Sequence, residues 1–154
     1  MSEVALRAMT EDDIPALVSL VAALPEWFHK GVPEEVRLDC ARYAGLVAEA
    51  DGTIAGFLLW FLEKDVCDIK WLAVVREQHR QGIGSLLIDG LMHSAREAGA
   101  KRISVDTLAS THDYEPYART RTFYEARGFQ LSGIERGGFP EGSDKATYAL
   151  ELGA

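Results

Sequence analysis

The chain has 154 residues, of which 47% are apolar and 26% are charged. This balance is typical of a globular protein and excludes disorder over most of the chain, and the length suits one hydrophobic core, so we expect a single domain over residues 1–154. The formal net charge is -8 at pH 7, which argues against nucleic acid as the main partner because phosphate binding needs a concentrated basic surface. The charge favours a cationic substrate, although it equally serves solubility.

The cysteines and histidines predict no metal site, because they are scattered without ligand spacing. They are Cys40, Cys67, His29, His79, His93 and His112. Residues 1–10 lack the long apolar stretch of a signal peptide, and the longest apolar run, 57–62, is too short to span a bilayer. We therefore expect a cytoplasmic protein that does not act at a membrane. The sequence leaves a homodimer open.

Hydrophobic periodicity predicts seven strands and four helices. In chain order these are a strand over 4–8, helices over 11–24 and 33–43, strands over 45–50, 53–62 and 66–75, a helix over 83–98, a strand over 102–108, a helix over 117–127, and strands over 129–134 and 146–152. Asp51-Gly52 is typical of a two-residue hairpin turn, and Gly99 and Gly128 suit helix ends. The order β-α-α-β-β-β-α-β-α-β-β predicts a mixed-sheet α/β layer architecture rather than a doubly wound one.

The most informative segment is the strand, turn and helix over residues 68–87. The free amides and the dipole of a helix's first turn attract anions, and Gly82 and Gly84 remove side chains that would keep a phosphate away. A Walker loop would need a lysine after its second glycine, and Leu87 stands where a dinucleotide fingerprint needs a third glycine. The turn predicts a phosphate or pyrophosphate site, with a plain tight turn as the alternative.

Two signatures give this segment a family context. The run His79-Arg80-Gln81-Gly82-Ile83-Gly84, after a strand, resembles the acetyl-CoA motif of the GNAT superfamily, Arg/Gln-x-x-Gly-x-Gly/Ala. Residues 122–129 resemble the family's Phe-Tyr-Glu-x-x-Gly-Phe signature, and the two signatures occur in the family's order. The likeness covers residues 46–129. It departs from the family pattern at His79, which stands where arginine or glutamine is usual.

The resemblance implies a GNAT-like fold, with a mixed, mostly antiparallel central sheet, helices on both faces, and acetyl-CoA as cosubstrate without a metal. The strand backbone at Leu72, Ala73 and Val74 would pair with the pantetheine arm. The pyrophosphate would bind at Arg80, Gln81, Gly82, Ile83, Gly84 and Ser85. The role of His79 at its unusual position stays open.

Acetyl transfer to an amine needs a neutral nucleophile and a protonated leaving group. An alkyl amine, with a pKa near ~10, must lose a proton, while the CoA thiolate, with a thiol-like pKa of ~8.5, must gain one. Tyr124 is the candidate acid, because the family places this tyrosine beside the CoA sulfur. The alternative is a packing role next to Phe123 and Phe129. A strand N–H within residues 72–74 would stabilise the oxyanion.

Asp68 is the candidate base for the amine. It opens the cofactor strand at the position where histone-acetylating members of the superfamily carry a catalytic glutamate, and strict alternation would place Asp68, Lys70 and Leu72 on one face. The alternative is a solvated carboxylate at a strand start. Glu63 is the second candidate.

The loop between the first two helices borders the acyl end of the cofactor in this fold, which makes Glu26, Trp27 and His29 candidate acceptor contacts. Packing is the alternative for Trp27 and its neighbour Phe28. Acidic residues around this region favour a cationic primary amine, either a small amine or the lysine or N-terminal amine of a peptide. We predict an N-acetyltransferase that works by direct attack, with a non-catalytic acyl-CoA-binding regulatory module as the alternative.

Overall fold

The computed structural model describes residues 4–79 and 82–153. The strands are β1 (Val4–Ala8), β2 (Ala44–Ala50), β3 (Thr53–Glu63), β4 (Val66–Val74), β5 (Arg102–Leu108), β6 (Gln130–Glu135) and β7 (Lys145–Glu151), and the α-helices are α1 (Ile14–Ala22), α2 (Val32–Cys40), α3 (Ile83–Glu97) and α4 (Glu115–Ala126). Short 3-10 turns precede α1 and follow β4. The predicted order of strands and helices is confirmed.

The first helix begins later than its periodicity predicts. Residues Glu11–Asp13 form a 3-10 turn, and α1 starts at Ile14. The Asp13 carboxylate accepts hydrogen bonds from the Arg7 guanidinium of β1 and from the Thr10 backbone N–H, all at 2.7 Å. The Arg7 guanidinium holds the pKa of Asp13 at about 2. This ion pair ties the start of the helix to the first strand, so its geometry is set by a tertiary contact.

The seven strands form one sheet in the order β1-β2-β3-β4-β5-β7-β6. β4 and β5 pair in parallel, and the other five neighbouring pairs are antiparallel. The mixed, mostly antiparallel sheet is therefore confirmed. The last hairpin is inverted relative to chain order, because β7 lies beside β5 and places β6 at the edge.

Helices cover both faces of the sheet, as expected. The alternation along β3 shows this division: Phe57 and Leu59 are buried in a cluster with α1 and α2, and Leu58 between them is buried in a cluster with α3. Full burial of each such side chain stabilises the fold by about 1.5–3 kcal/mol. The sheet lies between the two clusters, so a side chain on one face has different neighbours from a side chain on the other.

The hairpin turn between β2 and β3 forms as predicted. Asp51 and Gly52 have φ of 54° and 78°, the left-handed values that a two-residue hairpin of the right twist requires. A close approach of helix to sheet occurs at Gly90, where a Cβ would lie 2.9 Å from the Leu6 side chain. At both positions glycine is required by the backbone conformation or by close packing, and not by a role in binding or catalysis.

Candidate active site

β4 and β5 pair along only part of their length. Residues 66–69 pair in parallel with residues 102–105, although β4 continues to Val74 and β5 to Leu108. Past this point neither strand has a ladder partner on the facing side among the described residues, so the two strands part and open a gap in the sheet. The β4 edge along residues 70–74 therefore presents backbone groups to the gap.

A β-bulge lies at the level where the strands part. In the ladder between β3 and β4, Leu59 pairs with Trp71 but Trp60 pairs with Ile69. Lys70 is therefore an extra residue on β4, and such an insertion bends the strand and increases its twist. The bulge places the bend of β4 next to the last pair with β5, which helps the two strands to diverge.

The expectation that Asp68, Lys70 and Leu72 share one face is wrong, because the bulge reverses the alternation. Ile69 before the bulge and Leu72 after it both pack in the cluster with α3. Asp68 is adjacent to Ile69, so it points to the opposite face, on the side of α1 and α2. Lys70 itself is exposed.

The predicted phosphate turn ends in a left-handed glycine. Gly82 has a φ of 82° and is the N-cap of α3, and no heavy atom of the described residues beyond its chain neighbours lies within 4 Å of where its Cβ would be. The Leu86 amide bonds the Gly82 carbonyl at 3.0 Å, so the amides of residues 83–85 are the first-turn groups without an intrahelical acceptor. Arg80 and Gln81 lie outside the described residues.

The next residues, at the start of α3, pack against the core and against α4. Ile83 is 2% exposed and anchors the turn in the core. A Cβ on Gly84 would lie 3.1 Å from the Phe123 ring, so this glycine permits the close packing of α3 against α4. Ser85 is half-buried in the first turn of α3. A bulky residue at position 84 would therefore disturb helix packing as well as any bound phosphate.

His79 is bound to the end of its own strand. Its Nε2 lies 2.8 Å from the Val74 carbonyl oxygen, which makes Nε2–H the donor. Its ring also meets the Trp27 ring edge-on, at 5.4 Å between centroids. The histidine thus fastens the turn to β4 and to the α1–α2 loop (residues 23–31), and the Val74 carbonyl already accepts one hydrogen bond.

Tyr124 lies in α4 on the α3 side of the sheet. Its ring is 4% exposed and packs edge-on against Phe123 and Phe129, at centroid distances of 5.3 and 5.2 Å. Its hydroxyl has no hydrogen-bond partner within residues 4–79 and 82–153. Burial raises the pKa of this phenol above its ordinary value, so the hydroxyl keeps its proton. The side chain is both a core residue and an unengaged donor.

Asp68 is partly buried and accepts a hydrogen bond from the Ser104 hydroxyl of β5. Burial raises its pKa above the usual carboxyl range, against the lowering effect of Ser104, and the charges of Asp106 and Glu63 raise it further. Asp106 lies two residues beyond Ser104 on the same face of β5, and the Thr147 hydroxyl donates to it at 2.6 Å. Sequence reasoning missed Asp106, although the alternation along this strand was its signal.

Glu26 in the α1–α2 loop is paired with an arginine that follows β4. The Arg76 guanidinium binds both of its carboxylate oxygens, with Nη2 at 2.7 Å from Oε1. The pair lowers the pKa of Glu26 to about 2. Glu26 therefore stays ionised and engaged with Arg76, and the loop is tied to the segment that follows β4.

The next residue ties the same loop to α4. The Trp27 indole N–H donates to the Pro116 carbonyl at 3.0 Å, and its own carbonyl accepts from the Tyr117 hydroxyl. The Arg119 guanidinium lies over the indole, 5.4 Å from the ring centroid, and this cation–π contact is attractive because the face of the ring is negative. Trp27 thus bridges the segments that follow β4 and β5 and spans the open end of the gap.

His29 differs from its neighbours because its side chain is exposed. Its Nδ1 accepts from the Gly31 N–H at 3.0 Å. Its ring lies near Glu141 of the β6–β7 loop. Of the three predicted acceptor contacts, His29 is the one placed toward solvent and toward the last hairpin.

Comparison with known proteins agrees with this geometry. Residues 8–129 match the Acetyltransferase (GNAT) family, and the chain belongs to this family. The solved ribosomal-protein-S18-alanine N-acetyltransferase of Escherichia coli has a TM-score of 0.80 at 21% identity, over 99% of this chain and 96% of that one. A solved aminoglycoside 6′-N-acetyltransferase with coenzyme A has a TM-score of 0.76 at 16% identity, over 96% and 97%. The GNAT-like fold is confirmed.

A curated relative matches over a shorter part of its own length. The amino-acid acetyltransferase of Mannheimia succiniciproducens is 25% identical over 134 residues, which are 84% of this chain and 28% of that protein. The chain thus spans less than a third of this relative. Membership of the family places the domain in the acyltransferase class, as predicted.

Two further features of the described part concern metals and membranes. Three or more histidine, cysteine, aspartate or glutamate side chains in a metal-binding arrangement do not occur within residues 4–79 and 82–153. None of the helices in these ranges is long and apolar enough to cross a membrane.

Proposed function

We propose that this domain transfers the acetyl group of acetyl-CoA to a primary amine. The observation that carries the proposal is the gap between β4 and β5, with Tyr124 on one face of the sheet and Asp68 on the other. The names of the relatives support it, since they are acetyltransferases of amino acids and of a ribosomal-protein alanine.

Three features suit acetyl-CoA. The free amides of residues 83–85 suit the pyrophosphate, because helix N-termini attract anions. Among the described residues beyond its chain neighbours, no atom near Gly82 would keep a phosphate away from the backbone. The β4 edge at Leu72 and Ala73 suits the amides of the pantetheine arm, as a strand edge binds an extended chain. We also propose that Arg80, Gln81 and Ser85 contribute to pyrophosphate binding, as the family motif implies.

The reaction proceeds by direct attack. The amine nitrogen adds to the thioester carbonyl carbon, the C–N bond forms, and the C–S bond breaks to release CoA as a thiolate. A backbone N–H of Leu72 or Ala73 stabilises the oxyanion. Tyr124 gives its proton to the sulfur, since burial keeps this phenol protonated, and it is reprotonated from solvent.

The amine approaches from the side of α1 and α2. Asp68 lies on that face and takes the amine proton directly or through water, and its raised pKa brings it closer to neutral pH, where a general base is most effective. Asp106 adds a second carboxylate on the same face. Their negative charge favours an acceptor that is cationic in solution, such as a small amine or the lysine or N-terminal amine of a peptide.

The test uses purified protein and a panel of acceptors: small polyamines, amino acids, and peptides with a free N-terminus or a lysine. Acetyl-CoA should raise the melting temperature, because it binds the folded state, and at least one amine should release free thiol. No thermal shift at saturating acetyl-CoA contradicts the proposal. A shift without thiol release from any amine would favour a non-catalytic acyl-CoA-binding module.

A further inference from the structure

Thr107 of β5 carries a buried hydroxyl without a partner. The residue is 4% exposed, and its Oγ1 makes no hydrogen bond to any described part of the chain. The other such side-chain atom within residues 4–79 and 82–153 is Nε of Arg127. A buried hydroxyl usually finds a partner, because burying it unpaired costs free energy. The roles proposed for Tyr124 and Asp68 do not explain why an unpaired hydroxyl is buried at Thr107.

The register of β5 places Thr107 at the gap. The last residue of β5 that pairs with β4 is Val105, opposite Ile69. Thr107 lies two residues further on and pairs on its other side with Ala146 of β7. On the side toward β4, residue 107 has no ladder partner in the described ranges. The hydroxyl thus belongs to the part of β5 from which β4 has separated.

The facing of the strand places Thr107 on the side of Tyr124. Val105 and Ala146 belong to the cluster with α3, and so does Tyr124. Thr107 shares this face, since it alternates with Val105 and lies directly opposite Ala146. α4 crosses here, because Arg121 donates to the Leu108 carbonyl at 2.7 Å. The Thr107 and Tyr124 side chains therefore lie on the same side of the gap, and neither hydroxyl has a hydrogen-bond partner among the described residues.

Valine has the shape of threonine without the hydroxyl and would suit a buried strand position better. An unpaired hydroxyl at such a position fits a residue whose partner comes with a ligand. Phosphates would lie at the start of α3, and the acceptor face holds Asp68 and Asp106. Under the proposed function, the part of the cosubstrate left to lie in the gap beside this part of β5 is its acyl-pantetheine arm.

We propose that the Thr107 hydroxyl hydrogen-bonds to the acyl-pantetheine arm of the cosubstrate, at one of its amide or thioester carbonyl groups, and so positions the thioester in the gap. This rests on the proposed function. A hydroxyl can donate to such a carbonyl oxygen or accept from an amide N–H of the arm. Thr107 is thus a binding and positioning residue of the same site.

The test compares Thr107→Val with Thr107→Ser. Without ligand, Thr107→Val should melt about 2–4 °C above the wild type, because it removes an unpaired buried hydroxyl. Its Kd for acetyl-CoA, measured by calorimetry, should rise about five- to tenfold, the effect of one lost hydrogen bond. Thr107→Ser keeps the hydroxyl and should bind within about twofold of the wild type. Adenosine 3′,5′-bisphosphate, which lacks the pantetheine arm, should bind all three proteins equally.

A lower melting temperature in Thr107→Val would overturn the assignment and make the hydroxyl a structural group. So would an unchanged Kd for acetyl-CoA, or an equal loss of affinity for adenosine 3′,5′-bisphosphate. Acetyl-CoA binding by the wild-type protein distinguishes this outcome from failure of the proposed function. If wild-type protein does not bind acetyl-CoA, the proposed function falls; if it does and Thr107→Val binds equally well, only the role of Thr107 falls.

Discussion

The two sides of the gap between β4 and β5 are built in different ways. On the side proposed for the cofactor, β4, the turn and α3 are consecutive in the chain, and the φ of Gly82 sets the start of the helix. On the side proposed for the acceptor, the α1–α2 loop is held by Arg76, Pro116 and Tyr117, which are distant in sequence. A site built from consecutive elements has a recognisable sequence motif, whereas a loop that is held in place by distant residues has none.

The two sides also differ in their proton chemistry. Burial raises the pKa of Tyr124 on the α3 face of the sheet and of Asp68 on the opposite face. The Arg76 guanidinium instead lowers the pKa of Glu26 to about 2. Tyr124 therefore keeps its proton, Asp68 is a stronger base than an ordinary carboxylate, and Glu26 is a weaker one. Environment, rather than residue type, separates the two carboxylates.

Tyr124→Phe has the largest expected effect and tests the cofactor side. The ring keeps its packing, so Kd for acetyl-CoA and Tm should change little, whereas kcat should fall by about ten- to ten-thousand-fold. Steady-state kinetics and calorimetric titration separate the two quantities. Tyr148→Phe is the control, because Tyr148 is a buried tyrosine of the same cluster, and its kcat should stay near that of the wild type. An unchanged kcat in Tyr124→Phe would make Tyr124 a packing residue only.

Gly82→Ala tests whether the turn is a locally built anion site. Gly82 and Gly99, at opposite ends of α3, have φ of 82° and 84°, and an added Cβ would meet no described residue beyond the chain neighbours, so alanine should cost about 1–2 kcal/mol of stability at either site. Only Gly82→Ala should weaken acetyl-CoA binding, by about ten- to a hundredfold, because it displaces the first-turn amides. Equal weakening in Gly99→Ala, measured by calorimetry, would reduce the effect to lost stability.

Asp68→Asn tests the acceptor face through its pH dependence. A base with a raised pKa is protonated at low pH and works only above that pKa, so wild-type activity should rise with pH through it. The variant should lose about tenfold in kcat/KM near neutral pH and regain part of this at high pH, where more free amine is present. Asp65→Asn, three residues away in the turn before β4, should behave like the wild type.

The activity ratio of Asp68→Asn to wild type, measured across about pH 6–9.5, decides the case. A flat ratio would remove Asp68 as the base. Asp106→Asn is then the next variant, because Asp106 lies on the same face, and Glu63 or ordered water would follow. The variant that removes the true base should be the one whose kcat/KM partly recovers at high pH.

Tyr117→Phe has the smallest expected effect and tests the distant contacts of the α1–α2 loop. It removes the hydroxyl that binds the Trp27 carbonyl, which should lower Tm by about 2–4 °C. The KM for the amine should rise about three- to tenfold, with Kd for acetyl-CoA unchanged. Tyr43→Phe is the control, since the Tyr43 ring stacks on Phe61 away from the loop. An equal rise in Kd for acetyl-CoA would show that the loop and the cofactor turn act as one unit.

The sequence by itself determined the order of strands and helices, the Asp51-Gly52 hairpin, and a glycine turn at the start of α3. These features depend on residues within a few positions of one another: side-chain periodicity follows from the repeat of each element, and a turn follows from the φ that its residues tolerate. The family signatures lie in the same local segments. That is why the family and the fold class were predictable from the chain alone.

Only the tertiary structure decided which groups meet at the gap. The bulge at Lys70, which puts Asp68 and Leu72 on opposite faces, arises where β4 leaves β5 while staying paired with β3. The contact of Gly84 with Phe123 and the unpaired hydroxyl of Thr107 likewise depend on how distant segments come together. Sequence spacing does not encode such meetings, because strand register and helix packing are set by the fit of whole surfaces.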